Sequence, residues 1–123
     1  MTRGKKPVGA ISDAKKFAEK MGYRWQENTE NPDLGYDLLI FRPESVRLVK
    51  VRVMRYQINP DTMFEDLLPA DLAGLRGLPF PQWFPREIWL RTQHEKTFRR
   101  LVVHDGAVGE IGFWVPDGVR EPA

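Results

Sequence analysis

Two apolar runs separated by four residues constrain the fold of this chain more than any other feature. They are YDLLIF (36–41) and VRLVKVRVMRY (46–56), both rich in β-branched and aliphatic residues, with RPES (42–45) between them. This spacing predicts an antiparallel β-hairpin. Side chains alternate along a strand, so the three valines at alternate positions from 49 to 53 share one face and indicate the core side of the second strand.

A helix is predicted before the hairpin. Ser12 is a suitable N-cap, and the apolar residues at 14, 17, 18 and 21 follow the i, i+3, i+4, i+7 spacing of one buried helix face. Gly22 is expected to end the helix. The polar stretch QENTENPDLG (26–35) then predicts a loop that leads into the first strand.

The rest of the chain predicts a helical crossover and a second hairpin. Asp61 or Thr62 is a candidate cap for a short helix through Leu68, and a further turn is expected before the proline-rich segment 79–85. REIWLRT (86–92) and FRRLVVHD (98–105) predict strands, and GAVGEIGFWV (106–115) a short last strand. The fold class is therefore α/β, with an N-terminal helix and a mixed central sheet of four to five strands.

The 123 residues predict one domain, over residues 11–116, between a flexible basic leader at 1–10 and a tail at 117–123. The absence of cysteine excludes disulfides and thiol catalysis. No apolar run approaches the roughly 18 residues of a membrane span, and the first ten residues lack the apolar stretch of a signal peptide. We therefore expect a cytoplasmic protein without a membrane partner.

Charge is unevenly distributed, although the formal net charge is only +2. Residues 42–55 hold five basic residues against Glu44 alone, whereas residues 57–75 hold four acidic residues and no basic ones. The first region is a candidate phosphate-binding face. We predict nucleic-acid contacts, with DNA as the candidate partner, from four residues of this region: Lys50, Arg52, Arg55 and Tyr56.

A helix ending in MGY, a polar loop, an aspartate at the head of a strand, a hairpin and a strand with a central lysine resemble the PD-(D/E)XK nuclease superfamily. Within it, the pattern over residues 11–56 resembles archaeal Holliday-junction resolvases and small restriction-endonuclease-like domains. The resemblance implies Asp37 and Lys50 as catalytic residues and a homodimer. It implies Asp13 and Asp37 as ligands of Mg²⁺ in an active enzyme, with Glu19 as the alternative to Asp13. It also implies that Asp37 and Lys50 meet in a polar hollow beside the first helix.

The sequence departs from this family at one ligand position. Leu48 stands where the family has the acid of the D/E-x-K element, and leucine cannot bind a metal. Glu27, Glu30 and Glu44 are the nearest acids that could replace it. We therefore expect a nuclease-like, nucleic-acid-associated domain with an incomplete metal site, weakly active or inactive. An active Mg²⁺-dependent endonuclease with a migrated acid is the alternative.

Simpler interpretations stay open for the same residues. Asp37 is equally compatible with a strand-edge residue that binds a turn amide, and Asp13 with a helix-dipole residue. Lys50 and Arg52 are also typical of a solvated strand face. The aromatic residues around 83–89 favour a core position, and the alternatives for them are a base-stacking platform or a protein-interaction and oligomerisation surface.

Overall fold

The structure, a computed structural model, describes residues 7–59, 61–93, 95 and 97–111. A six-stranded mixed sheet forms its centre, with helices on both faces. The elements in chain order are α1 (Val8–Lys20), β1 (Arg24–Glu27), β2 (Leu38–Arg42), β3 (Ser45–Met54), α2 (Phe64–Leu67), α3 (Pro69–Arg76), β4 (Arg86–Thr92), β5 (Arg99–Val103) and β6 (Val108–Ile111).

The order of strands across the sheet is the same as their order along the chain. Strands β1, β2 and β3 are antiparallel neighbours, and so are β4, β5 and β6. Strand β4 lies parallel to β3, because α2 and α3 carry the chain back across the sheet between them. The predicted α/β class, the N-terminal helix and the helical crossover are confirmed. The sheet has six strands instead of the expected four to five.

Helix α1 begins at Val8, four residues before the expected cap, so part of the predicted leader is helical. Ala10 and Ile11 are buried and extend the apolar face by one turn toward the N-terminus. Pro7 occupies the N-cap position, where a proline costs no helical hydrogen bond. The C-terminal expectation is confirmed, because Gly22 follows the helix with φ of +82°.

Two apolar clusters cover the two faces of the sheet. Helix α1 packs on the face that carries Val49 and Val51, as the alternation predicted. Helix α3 and the segments around it pack on the opposite face, which carries Leu48. Both faces of the sheet are therefore covered at its centre, so polar side chains near the middle of its strands lie beneath a helix layer.

Several local expectations are corrected. Strand β1 includes Gln26 and Glu27, which were expected in a loop, and α2 begins after Met63 instead of Asp61 or Thr62. Trp89 is fully buried as expected, and Trp83, for which a surface position was the alternative, is 78% exposed. Strand β6 covers Val108–Ile111, while the rest of the predicted last strand and the tail at 117–123 lie outside the described residues.

No helix in the described part of the chain is long and apolar enough to cross a bilayer.

Candidate functional site

Asp37 is held in place immediately before β2 by its backbone and its side chain. Its carbonyl oxygen accepts a hydrogen bond of 2.9 Å from the Asn28 amide, and its own amide donates one of 2.8 Å to the Val49 carbonyl. Its buried carboxylate oxygen Oδ2 accepts a hydrogen bond of 2.8 Å from the Val51 amide. The backbone ladder between β2 and β3 ends at the pair Leu38 and Val49, so the Val51 amide lies beyond the ladder. The Asp37 carboxylate gives this amide a hydrogen-bond acceptor.

Asn28 shapes the loop that presents Asp37, a role that the sequence analysis missed. Its side-chain amide donates to the carbonyl oxygens of Asn31 (2.9 Å) and Tyr36 (3.0 Å), and its Oδ1 accepts from the Asn31 amide at 3.1 Å. Asn28 is itself buried, and it binds both ends of the loop. An asparagine within a polar, proline-containing stretch was the available signal, since such residues often bond nearby backbone groups.

The structure brings Asp37 and Lys50 together. Lys50 Nζ lies 3.9 Å from Asp37 Oδ2, with the aspartate side chain 3% and the lysine side chain 27% exposed. The expected position beside the first helix is wrong. Lys50 and Leu48 alternate onto the same face of β3, and Leu48 packs in the cluster with α3. The pair therefore lies on the side of the sheet covered by α2 and α3.

Asp13 is not brought to this pair. It lies on α1 and accepts a hydrogen bond of 2.9 Å from Arg91 Nη1. Arg91 alternates onto the same face as Trp89, which packs with α1. The sheet therefore separates Asp13 from Asp37, and the two carboxylates do not converge on one ion.

The missing acid is not replaced from elsewhere in the described residues. Leu48 has no solvent exposure and packs in the α3 cluster. Of the three candidate substitutes, Glu27 pairs with Lys15, and Glu30 and Glu44 are exposed. No group of three or more His, Cys, Asp or Glu side chains suited to a metal occurs in the described ranges. With an ammonium beside its single carboxylate, this donor set does not fit Mg²⁺.

The four residues predicted to contact nucleic acid fall into two sets. Lys50 is engaged with Asp37, as described above. Arg52, Arg55 and Tyr56 lie at the C-terminal end of β3 and just beyond it, and all three are exposed. Arg52 Nη1 lies 3.6 Å from Asp71 Oδ2, with half of the arginine side chain exposed. We call these three residues the strand-end surface.

A buried ionic network, which the sequence analysis missed, centres on Glu87. Its carboxylate accepts hydrogen bonds from Arg47 Nη1 (2.8 Å), Arg100 Nε (2.8 Å), Arg100 Nη2 (2.9 Å) and Trp89 Nε1 (2.8 Å). Glu87 has no solvent exposure, so the two guanidinium groups compensate its buried charge. Burial alone would lower the pKa of Arg100, but the hydrogen bonds to Glu87 raise it.

Tyr23 borders this network. Burial alone would raise the pKa of the Tyr23 phenol, but its hydrogen bond with Ser45 Oγ (3.1 Å) and the charges of Arg100 and Arg47 together lower it. The guanidinium of Arg42 lies over the Tyr23 ring at 4.3 Å from its centroid. The only sequence signal for the network was a glutamate inside the apolar strand REIWLRT, since its partners lie on other strands.

Comparisons with protein-family models, with curated proteins and with solved structures found no match to this chain.

Proposed function

We propose that this protein is a nucleic-acid-binding domain of restriction-endonuclease-like ancestry that does not carry out Mg²⁺-dependent cleavage at Asp37. The observation that carries the proposal is the position of the Lys50 ammonium, 3.9 Å from the Asp37 carboxylate. The ancestry is supported by the order of elements. A helix, a polar loop, an aspartate at the head of β2, a hairpin and a lysine on β3 follow each other as the resemblance requires.

The electrostatics of the pair argue against a metal-dependent reaction. A divalent cation would have to approach the Asp37 carboxylate against the charge of Lys50, and one carboxylate oxygen already accepts the Val51 amide. Two like charges a few ångströms apart interact by several kcal/mol near a protein surface, on the order of 4 kcal/mol for unit charges at about 4 Å. Mg²⁺ prefers several oxygen ligands, and no group of three or more His, Cys, Asp or Glu side chains occurs among the described residues to supply them. Lys50 therefore takes the charge-balancing role that an ion would have.

The strand-end surface is proposed to contact backbone phosphate. Arg55 is exposed and takes part in none of the ion pairs of the described residues, and Arg52 has only the distant partner Asp71. Guanidinium groups suit phosphate oxygens, and such contacts fix position without reading sequence. The exposed ring of Tyr56 lies beside them and adds a hydroxyl donor.

Fluorescence anisotropy with duplex and branched DNA tests this proposal. Binding should weaken steeply with salt, and the double variant Arg52→Ala/Arg55→Ala should reduce the slope of log affinity against log salt by about 2, roughly 0.9 per lost contact. Asp71→Asn should strengthen binding, because it removes the acid that competes with phosphate for Arg52. Arg24→Ala, which removes an exposed arginine of β1, is the matched control. Absent binding, or binding that these variants leave unchanged, rejects the proposed surface.

The same purified protein tests the catalytic half of the proposal. Linear, supercoiled and junction DNA should stay intact with Mg²⁺ or Mn²⁺. Cutting that disappears in Asp37→Ala would overturn the proposal in favour of an active endonuclease. The homodimer that the resemblance implies remains a prediction, and sedimentation of the purified chain measures it directly.

A further inference from the structure

A cleft of about 400 Å³ opens where β3 and β4 begin and β5 ends. Its volume lies within the roughly 300–1,000 Å³ of typical small-molecule sites. Three arginines and one carboxylate contribute to its wall, together with an exposed tryptophan: Arg47, Arg76, Arg86, Asp105 and Trp83. The cleft involves neither Asp37 and Lys50 nor the strand-end surface.

Arg86 is the unusual member of this wall. Only 3% of the residue is exposed, and one guanidinium nitrogen, Nη2, donates to the carbonyl oxygens of Phe80 (3.0 Å) and Pro81 (3.3 Å). Its Nε is buried without a hydrogen-bond partner. None of the ion pairs within the described residues includes Arg86. A buried charge without a counter-ion is costly, so an anion bound in the cleft would stabilise this side chain.

The neighbouring arginines are already engaged by carboxylates. Arg76 is engaged by Glu65, whose oxygens lie 2.6 and 2.9 Å from its two terminal nitrogens. Arg47 is engaged by Glu87, which alternates with Arg86 along β4 and so points to the opposite face of the sheet. Among the described residues of this wall, the charge of Arg86 is therefore the one that most favours an anionic ligand.

Trp83 provides a flat apolar surface at the same cleft. Its ring stacks on Phe84 with 5.8 Å between centroids and 21° between planes, while 78% of the residue is exposed. Phe84 therefore supports the indole from one side and leaves most of it open to solvent. An aromatic ring held in this way is a stacking platform for a planar group such as a nucleobase.

We propose that the cleft binds a nucleoside monophosphate unit, with its phosphate at Arg86 and its base stacked on Trp83. The unit comes either from a free nucleotide or from the phosphorylated end of a nucleic-acid strand. Its phosphate supplies the counter-ion that Arg86 lacks, and its base covers the exposed indole. The inference uses residues different from those of the proposed DNA surface, so either proposal can fail without the other.

Calorimetry and tryptophan fluorescence on the full chain test the inference with adenosine monophosphate, inorganic phosphate and adenosine as probes. The nucleotide should bind more tightly than either part alone. Trp83→Ala should weaken nucleotide binding about tenfold, as expected for one base stack, and leave phosphate binding unchanged. Trp83→Phe should restore most of the loss. Arg86→Met should abolish binding of both phosphate and nucleotide, while Arg24→Met should change neither.

A short oligonucleotide with and without a 5′-phosphate distinguishes the two sources. Tighter binding of the phosphorylated strand than of the free nucleotide assigns the cleft to a strand end, and equal or weaker binding assigns it to a free nucleotide. The inference is overturned if the wild-type chain binds neither nucleotide nor phosphate, or if Trp83→Ala leaves nucleotide affinity unchanged. The second result remains decisive even if Arg86→Met does not fold.

Discussion

Replacing Asp37 by alanine separates a structural role of this carboxylate from a metal-binding role. The substitution leaves the buried Val51 amide without its acceptor, which costs about 1–3 kcal/mol. It also removes the ion pair with Lys50, worth about 0–1 kcal/mol because the lysine is partly exposed and screened. We therefore expect Asp37→Ala to lower the free energy of unfolding in metal-free buffer by about 1–4 kcal/mol.

Urea unfolding followed by circular dichroism measures this change, with an unchanged m-value as the check on a two-state comparison. Asp37→Asn keeps an oxygen that can accept the Val51 amide, so it should cost only about 1 kcal/mol. Lys50→Met should cost about 1 kcal/mol or less. The reasoning is refuted if Asp37→Ala is as stable as the wild-type chain. It is also refuted if Mg²⁺ stabilises the wild-type chain but not this variant, as expected for a metal ligand.

Three further substitutions test the charges and the packing of the sheet. Glu87→Gln should lower the free energy of unfolding by about 3–5 kcal/mol in urea, because Arg47 and Arg100 lose their buried counter-ion; a near-neutral change would contradict the network. The pKa of Tyr23 is lowered from 10.0, so the folded state binds fewer protons below that pH. The wild-type chain should therefore gain stability over Tyr23→Phe as pH rises toward 10.0, and identical pH profiles would contradict this. Leu48→Glu should cost more than about 4 kcal/mol or prevent folding, because it buries a carboxylate in an apolar cluster; a stable variant that binds Mg²⁺ would show that the missing acid can be restored.

The sequence patterns predicted strand bounds and the register of the first hairpin, because these depend on residues that lie close together in the chain. The run REIWLRT became β4 with the expected bounds, and the turn between positions 42 and 45 set the register of the first hairpin. Pairs in such a hairpin are symmetrical about its turn, so the pairing of Arg42 with Ser45 places position 37 opposite position 50. The approach of Asp37 and Lys50 was therefore predictable from the sequence, because it needs only one hairpin.

Contacts that require several distant pairings were not predictable in the same way. The face on which Asp37 and Lys50 lie depends on which helix covers it, and each face of the sheet is covered by a different helical segment. The Glu87 network joins β3, β4 and β5, so it requires both the parallel pairing across the crossover and the register of the second hairpin. Strand β1 was missed because its side chains are mostly polar, and its ladder with β2 is what makes it a strand.

The balance of three buried charges distinguishes structural ion pairs from a ligand site in this molecule. Asp37 has the Val51 amide and Lys50, and Glu87 has two arginines and Trp89, so each of these acids is satisfied by the protein itself. Within the part of the chain that the structure describes, Arg86 has two carbonyl oxygens as acceptors and an unpartnered Nε, although it is as deeply buried as Asp37. A folded chain keeps an unbalanced buried charge at a cost in stability. The cleft at Arg86 is therefore a stronger candidate for ligand binding than Asp37, although Asp37 lies in the motif that resembles a nuclease.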